Sequence, residues 1–225
     1  MEGMRTKMEE RVKFFEASKA EKILRVIMVL MGIVFLALGI AVFKLALLGN
    51  DPYTGMLFAI SDRTGFPYPW LQVMMGLVFF VFQLIWGRHL VGFGTVYNAF
   101  CIGFIVDFFY QRIYEIFGEL TFLPVQLLTL AIGMLICSFG ISIYQEADMG
   151  VSPYDATSLM LAERQDRFPY FWCRIFTDTV CAVVCFAFGG IVGVGTVVTA
   201  LGFGPFVTFF DRIFSDPVLR MVRKA

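Results

Sequence analysis

The chain has 225 residues, 59% of them hydrophobic, only 16% charged, with a formal net charge of zero. A soluble domain is nearer half apolar and a quarter charged, so this composition excludes an ordinary water-soluble fold. The apolar excess is gathered into runs of roughly 20 residues, the length that crosses a bilayer core. The chain is therefore a polytopic all-α membrane protein, and the lipid bilayer is its first partner.

Residues 1–22 are rich in charge and predict a cytoplasmic amphipathic helix, with Met4, Met8, Val12 and Phe15 on one face. Ser18-Lys-Ala-Glu21 has the order of a capping box, so the first span starts just after it. That span is too long for a removed signal peptide and lacks a small-residue cleavage site. Six spans are predicted, over 23–48, 69–87, 91–111, 122–146, 169–189 and 192–211. Tyr68, Trp70, Trp86, Tyr170 and Trp172 stand at their ends, where aromatic belts form.

Gly49-Asn-Asp-Pro-Tyr-Thr54 follows the first run, and Gly150-Val-Ser-Pro-Tyr-Asp155 follows the fourth. In each, Gly permits the left-handed turn that closes one helix. Asp51 or Ser152 then caps the next helix, and the Pro occupies its first position, where a missing N–H costs nothing. Each copy thus predicts a short broken or re-entrant helix beside a span. The echo extends well beyond these turns. Gly32 and Gly39 recur as Gly133 and Gly140, and Gly92-Phe-Gly-Thr-Val96 recurs as Gly193-Val-Gly-Thr-Val197. Phe66-Pro-Tyr-Pro-Trp70 recurs as Phe168-Pro-Tyr-Phe-Trp172.

The repeating unit holds three spans, residues 23–118 and then 119–214, with a basic tail over 215–225. An odd span count per unit sets the copies in opposite orientations, the inverted-repeat plan of many secondary transporters. Lys and Arg crowd the amino terminus, the loops at Arg88 and Arg164, and the carboxyl end. By the positive-inside rule both termini are expected in the cytoplasm. This placement of the basic residues serves topology, and no nucleic-acid partner is expected.

The Gly-x-(Ser/Asp)-Pro-Tyr turn is followed by Gly92-Phe-Gly-Thr-Val-Tyr-Asn-Ala99, then Gly103 and Asp107. With these motifs the chain resembles the YczE/YyaS/YitT group of bacterial integral membrane proteins over roughly residues 24–214. The second copy departs from the pattern, with Thr199 for Asn98 and Thr208 for Asp107. The resemblance implies a multi-pass protein of the bacterial cytoplasmic (inner) membrane. It implies no substrate.

Charges inside a membrane are costly, so each one asks for a partner or a purpose. Arg174 and Asp178 are four apart in the fifth span and share a helical face, either as a bundle-stabilising pair or as a solute site. The repeat positions Gln72 and Gly76 carry no charge, so building the repeat does not require the pair. Asp107 is either an interfacial carboxylate pairing with Arg112 or a second proton-coupling candidate beside Asp178. Helix N-termini suit anionic groups, which places the expected substrate site at Arg174, Asp178, Asn98, Thr95, Ser152 and Asp155.

Cys181 and Cys185 share a helical face, but no third ligand stands near, so neither a metal site nor any cofactor is expected. The one histidine, His89, lies in a short loop, and catalytic motifs are absent, so no enzyme is predicted. Gly189-x-x-x-Gly193 has the spacing of a dimer face, a common pattern in spans. The expected function is a small secondary transporter for an anionic or zwitterionic solute, proton coupling included. The alternative is a non-enzymatic subunit: the substrate-capturing component of an ATP-driven transporter, or an accessory protein of a larger membrane complex.

Overall fold

The computed structural model describes residues 19–165, 170–215 and 217–219. Residues 1–18 of the predicted surface helix, Phe168 and Pro169 of the second echo and most of the basic tail lie outside them, while residues 19–22, read as the end of that surface helix, form the first turn of α1. Eight α-helices are described in full. They are α1 (Lys19–Ala46), α2 (Pro52–Thr64), α3 (Tyr68–Trp86), α4 (Phe93–Phe117), α5 (Leu123–Glu146), α6 (Pro153–Arg164), α7 (Tyr170–Ala187) and α8 (Val194–Phe210). A 3₁₀ turn, Arg88–Leu90, precedes α4, and a π-helical turn, Asp211–Ser215, follows α8.

Five helical segments are long and apolar enough to cross a membrane: α1, α3, α4, α5 and the stretch Val194–Leu219. The remaining predicted span coincides with helix α7, which is not among the five; Arg174 and Asp178 stand inside its 18 residues. One face of α7 buries Asp178, Cys181 and Cys185, while Phe176, Val183 and Phe186 are 62%, 63% and 75% exposed. So large an apolar surface is unfavourable in water and natural against lipid. The predicted short helices after the first and fourth spans are present as α2 and α6.

The centre of the fold is the antiparallel pair α1 and α5, which approach through glycine. A Cβ on Gly32 would stand 2.7 Å from the Tyr144 backbone nitrogen, and one on Gly140 would stand 2.7 Å from Gly32 O. Where lipid competes equally for apolar side chains, such close backbone approach is a main source of helix association. Arg25, buried in α1, pairs with Glu21 at 2.9 Å and donates from Nη1 to Ala147 O at 2.8 Å. It therefore satisfies an orphan carbonyl at the end of α5, where a cation is favoured.

The two helix breaks are fastened in matching ways by residues 101 apart. Gly94 N donates to Met149 O, and Gly195 N donates to Leu48 O, each at 2.8 Å. Each break thus docks on the start of a helix from the other half of the chain. Leu47 and Asp148 both take positive φ, at 56° and 50°, and Gly49 and Gly150 follow at 100° and 106°. The same backbone path is drawn twice.

Candidate functional site

The two short helices begin side by side. Asp51 caps α2 by accepting from Thr54 N at 3.1 Å, as its sequence position predicts. Ser152 occupies the N-cap position of α6, though its side chain makes no capping bond. The tyrosines that follow the two prolines, Tyr53 and Tyr154, stack with ring centroids 4.4 Å apart and planes 10° apart. Two helix N-termini, each worth roughly half a positive charge, therefore front one space.

That space is a cavity of about 80 Å³, room for a few water molecules or a small solute group. Asp51, Thr54, Ser152 and Asp155 line it from the helix starts. Leu36 and Ile40 of α1 and Cys137 and Ile141 of α5 form an apolar wall. Gln72, Asn98 and Arg174 reach it from α3, α4 and α7. Four of the six residues expected at a substrate site, Arg174, Asn98, Ser152 and Asp155, thus meet at one place.

Asp178 joins them through hydrogen bonds. Arg174 Nε donates to Asp178 Oδ2 at 3.2 Å, the in-helix pair read from the sequence. The Arg174 Nη1 group also pairs with Asp155 Oδ1. Tyr154 donates its hydroxyl to Asp178 Oδ1 at 2.6 Å, and Tyr144 donates to Asp155 Oδ2 at 3.1 Å. The guanidinium carbon lies 5.1 Å from the Tyr154 ring centre, within cation–π range. One cation, two carboxylates and two phenols form a continuous network.

With both carboxylates ionised the network carries one net negative charge, and Asp51 adds another. The two helix N-termini return roughly a full positive unit. Such a balance sits close to one proton of neutrality. Gln72, 5% exposed, lines the cavity, and its buried Oε1 has no hydrogen-bond partner.

Thr95 lies beside the cavity and not on its lining. Its hydroxyl donates to Val151 O at 2.8 Å and accepts from Gly92 N at 3.2 Å, so it fastens the second break. Asp107 stands apart, accepting from Gln111 Nε2 at 2.8 Å. The expected Asp107–Arg112 pair is not formed; Arg112 pairs instead with Glu115 at 3.1 Å. His89 bonds Glu163 at 3.0 Å on the surface. The five cysteines are free thiols, and no metal-holding group of three ligands occurs among the described residues.

Sequence reading missed the two stacked tyrosines, although Pro-Tyr in both echoes was a usable signal. It offered no signal for Tyr144, whose role depends on how α5 packs against α6.

Residues 22–212 match a family described as a family of unknown function, DUF6198. The chain belongs to that family. It is 22% identical over 192 residues to the uncharacterized membrane protein YczE of Bacillus subtilis (strain 168), covering 85% of this chain and 87% of the relative. It is 24% identical over 168 residues to the uncharacterized protein YyaS of the same strain, covering 75% and 83% of the two chains. An uncharacterized protein of Haemophilus influenzae (strain ATCC 51907 / DSM 11121 / KW20 / Rd) is 25% identical over 191 residues, 83% of each chain. No solved structure matches. The DUF6198 chain is thus a YczE- and YyaS-like multi-pass membrane protein.

Proposed function

We propose that the protein is a small secondary transporter of two inverted three-span repeats, carrying an anionic or zwitterionic solute together with a proton. The observation that carries this reading is the junction of two helix N-termini at a cavity holding Arg174, Asp155 and Asp178. Discontinuous helices that aim their positive ends at a central site are a recurrent solution for binding anionic groups inside membranes. The matched fastenings of the two breaks support a duplicated, inverted architecture.

The chemistry follows from charge balance. With Asp155 and Asp178 ionised, Arg174 is already neutralised by its own chain. A proton taken by either carboxylate releases part of the guanidinium for a carboxylate of the solute. Solute and proton therefore bind better together than apart, which is the requirement for symport. No bond is made or broken, so the role is non-enzymatic. The expected location is the bacterial cytoplasmic membrane with both termini inside.

Reconstitution tests it. Proteoliposomes containing only this chain and an internal pH dye should acidify when small amino acids and carboxylates are added in turn, and Asp178→Asn should abolish the response. Tight solute binding without flux would instead favour the capture subunit of an ATP-driven transporter. Neither binding nor flux would point to an accessory role. Topology gives a separate check. A reporter active only outside the cytoplasm, fused after Ala225, should stay silent, and activity there would break the inversion.

A further inference from the structure

Behind α2, on the side away from the central cavity, lies a second and larger pocket of about 250 Å³. Lys44 of α1, Asn50 of the first break and Asp62 of α2 supply its polar groups. Lys44 Nζ is held 4.1 Å above the Phe58 ring and 4.3 Å from the Tyr110 ring centre. Asn50 is only 6% exposed, and its Oδ1 is buried with no hydrogen-bond partner. An orphaned acceptor costs about 1–3 kcal/mol, so this residue beside the pocket is not there for stability alone.

The other half of the chain shows that this pocket is not a by-product of the repeat. At the corresponding positions, 101 residues on, Asn50 is replaced by Val151, Gly55 by Ala156 and Ala59 by Met160. There Leu90, Ala156 and Met160 are 3%, 0% and 6% exposed and pack with Val151 and Leu159 into a closed apolar cluster. One half is filled and the other is open, polar and lined by small residues.

From this asymmetry we infer that the Lys44–Asn50–Asp62 pocket is a binding site for a small zwitterion, carboxylate toward Lys44 and ammonium toward Asp62. A simple anion that gains Lys44 meets the like charge of Asp62, and a simple cation meets the reverse. A molecule carrying both charges satisfies both groups. The inference rests on the transport reading for its purpose: it names the solute class and makes the pocket the place where solute is first held, on the open side of the break. Asn50 and Asp51 are adjacent, so the break passes from this pocket to the central cavity in one residue.

The test is ligand-observed saturation-transfer NMR on the full chain in nanodiscs. The probes are glycine, β-alanine and γ-aminobutyrate, with acetate and methylammonium as single-charge controls. At least one amino acid should bind, with both controls about tenfold weaker or more. Ala59→Met, which installs the bulk found in the other half, should remove the pocket's share of the binding and leave what the central cavity holds. Lys44→Gln changes a half-buried side chain without filling space and should weaken that share about tenfold. Equal binding of single-charge probes, no binding by any amino acid, or undiminished binding in both Ala59→Met and Lys44→Gln overturns the inference. Pocket binding without proton flux would sink the transport reading and leave this site standing. Flux in a protein whose pocket variants bind normally would do the opposite.

Discussion

Arg174→Gln is expected to lower the unfolding midpoint of the purified protein far more than Asp178→Asn does. The guanidinium is the cation paired with both Asp155 and Asp178, whose side chains keep only 22% and 10% exposure. Removing one partner of a buried pair costs about 3–5 kcal/mol, because the other charge is left without compensation. Asp155 retains some access to water, so the lower end of that range applies. Asp178→Asn is milder: Arg174 keeps Asp155, the one amide oxygen still accepts from Arg174, and the amide NH2 donates to the Tyr154 hydroxyl, which turns from donor to acceptor. The difference between a charged and a neutral acceptor is about 1 kcal/mol. The two substitutions, alike in sequence as halves of one pair, therefore separate in stability.

Function should sort them differently. Asparagine cannot take a proton, so Asp178→Asn should retain the fold and lose solute-driven proton flux. The double variant Arg174→Gln/Asp178→Asn should regain part of the stability lost by Arg174→Gln, since one uncompensated charge is gone, and still show no flux. Denaturant unfolding and proteoliposome assays on the four proteins complete the cycle. If the double variant transports as well as the native chain, the pair is structural and the site lies elsewhere.

The in-helix half of this network was legible because four residues along a helix return to one face. The Asp155 half was not, since it depends on α6 lying against α7. The Asp107–Arg112 expectation failed for the same geometric reason read in reverse. Five residues along a helix turn the second side chain well away from the first, whereas Gln111 at four and the Arg112–Glu115 spacing of three keep their partners within reach. Lys44, a cation near the end of α1, lies over two aromatic rings, a contact that its place in the sequence does not signal. Composition located the helices well, and the Gly-x-x-Pro-Tyr order located both breaks. What it could not convey was that the breaks meet, because stacking of Tyr53 on Tyr154 is a contact between halves about a hundred residues apart. The open pocket was equally hidden: Gly55 and Ala59 gain meaning only when set beside the packed Ala156 and Met160.

Among the glycines of positive φ, Gly150 should be the least replaceable, with Gly49 second and Gly65 well behind. Gly150 and Gly49 have φ of +106° and +100°, beyond the left-handed well that other L-residues enter at a cost of about 1–2 kcal/mol. Sterics then separate them. A Cβ on Gly150 would stand 2.5 Å from the Gly92 backbone nitrogen, where neither partner can yield. One on Gly49 would meet the Thr196 hydroxyl at 2.7 Å, a group that can rotate, and the Gly193 nitrogen only at 3.1 Å. Gly65 has a φ of +71° with nothing within 4 Å, so alanine there isolates the conformational cost. Denaturant unfolding should therefore rank Gly65→Ala at about 1 kcal/mol and Gly150→Ala at several, about 3–5 kcal/mol once overpacking is added. Gly49→Ala should fall between them. The Gly150 change should also reach the site: Thr95 and Leu90 hold Val151 through its O and N, and Asp155 lies on the first turn beyond. Displacing that turn shifts Asp155 relative to Arg174. A Gly150→Ala protein as stable as Gly65→Ala would mean that the second break is not clamped against the start of α4, and the paired fastening of the two halves would lose its main support.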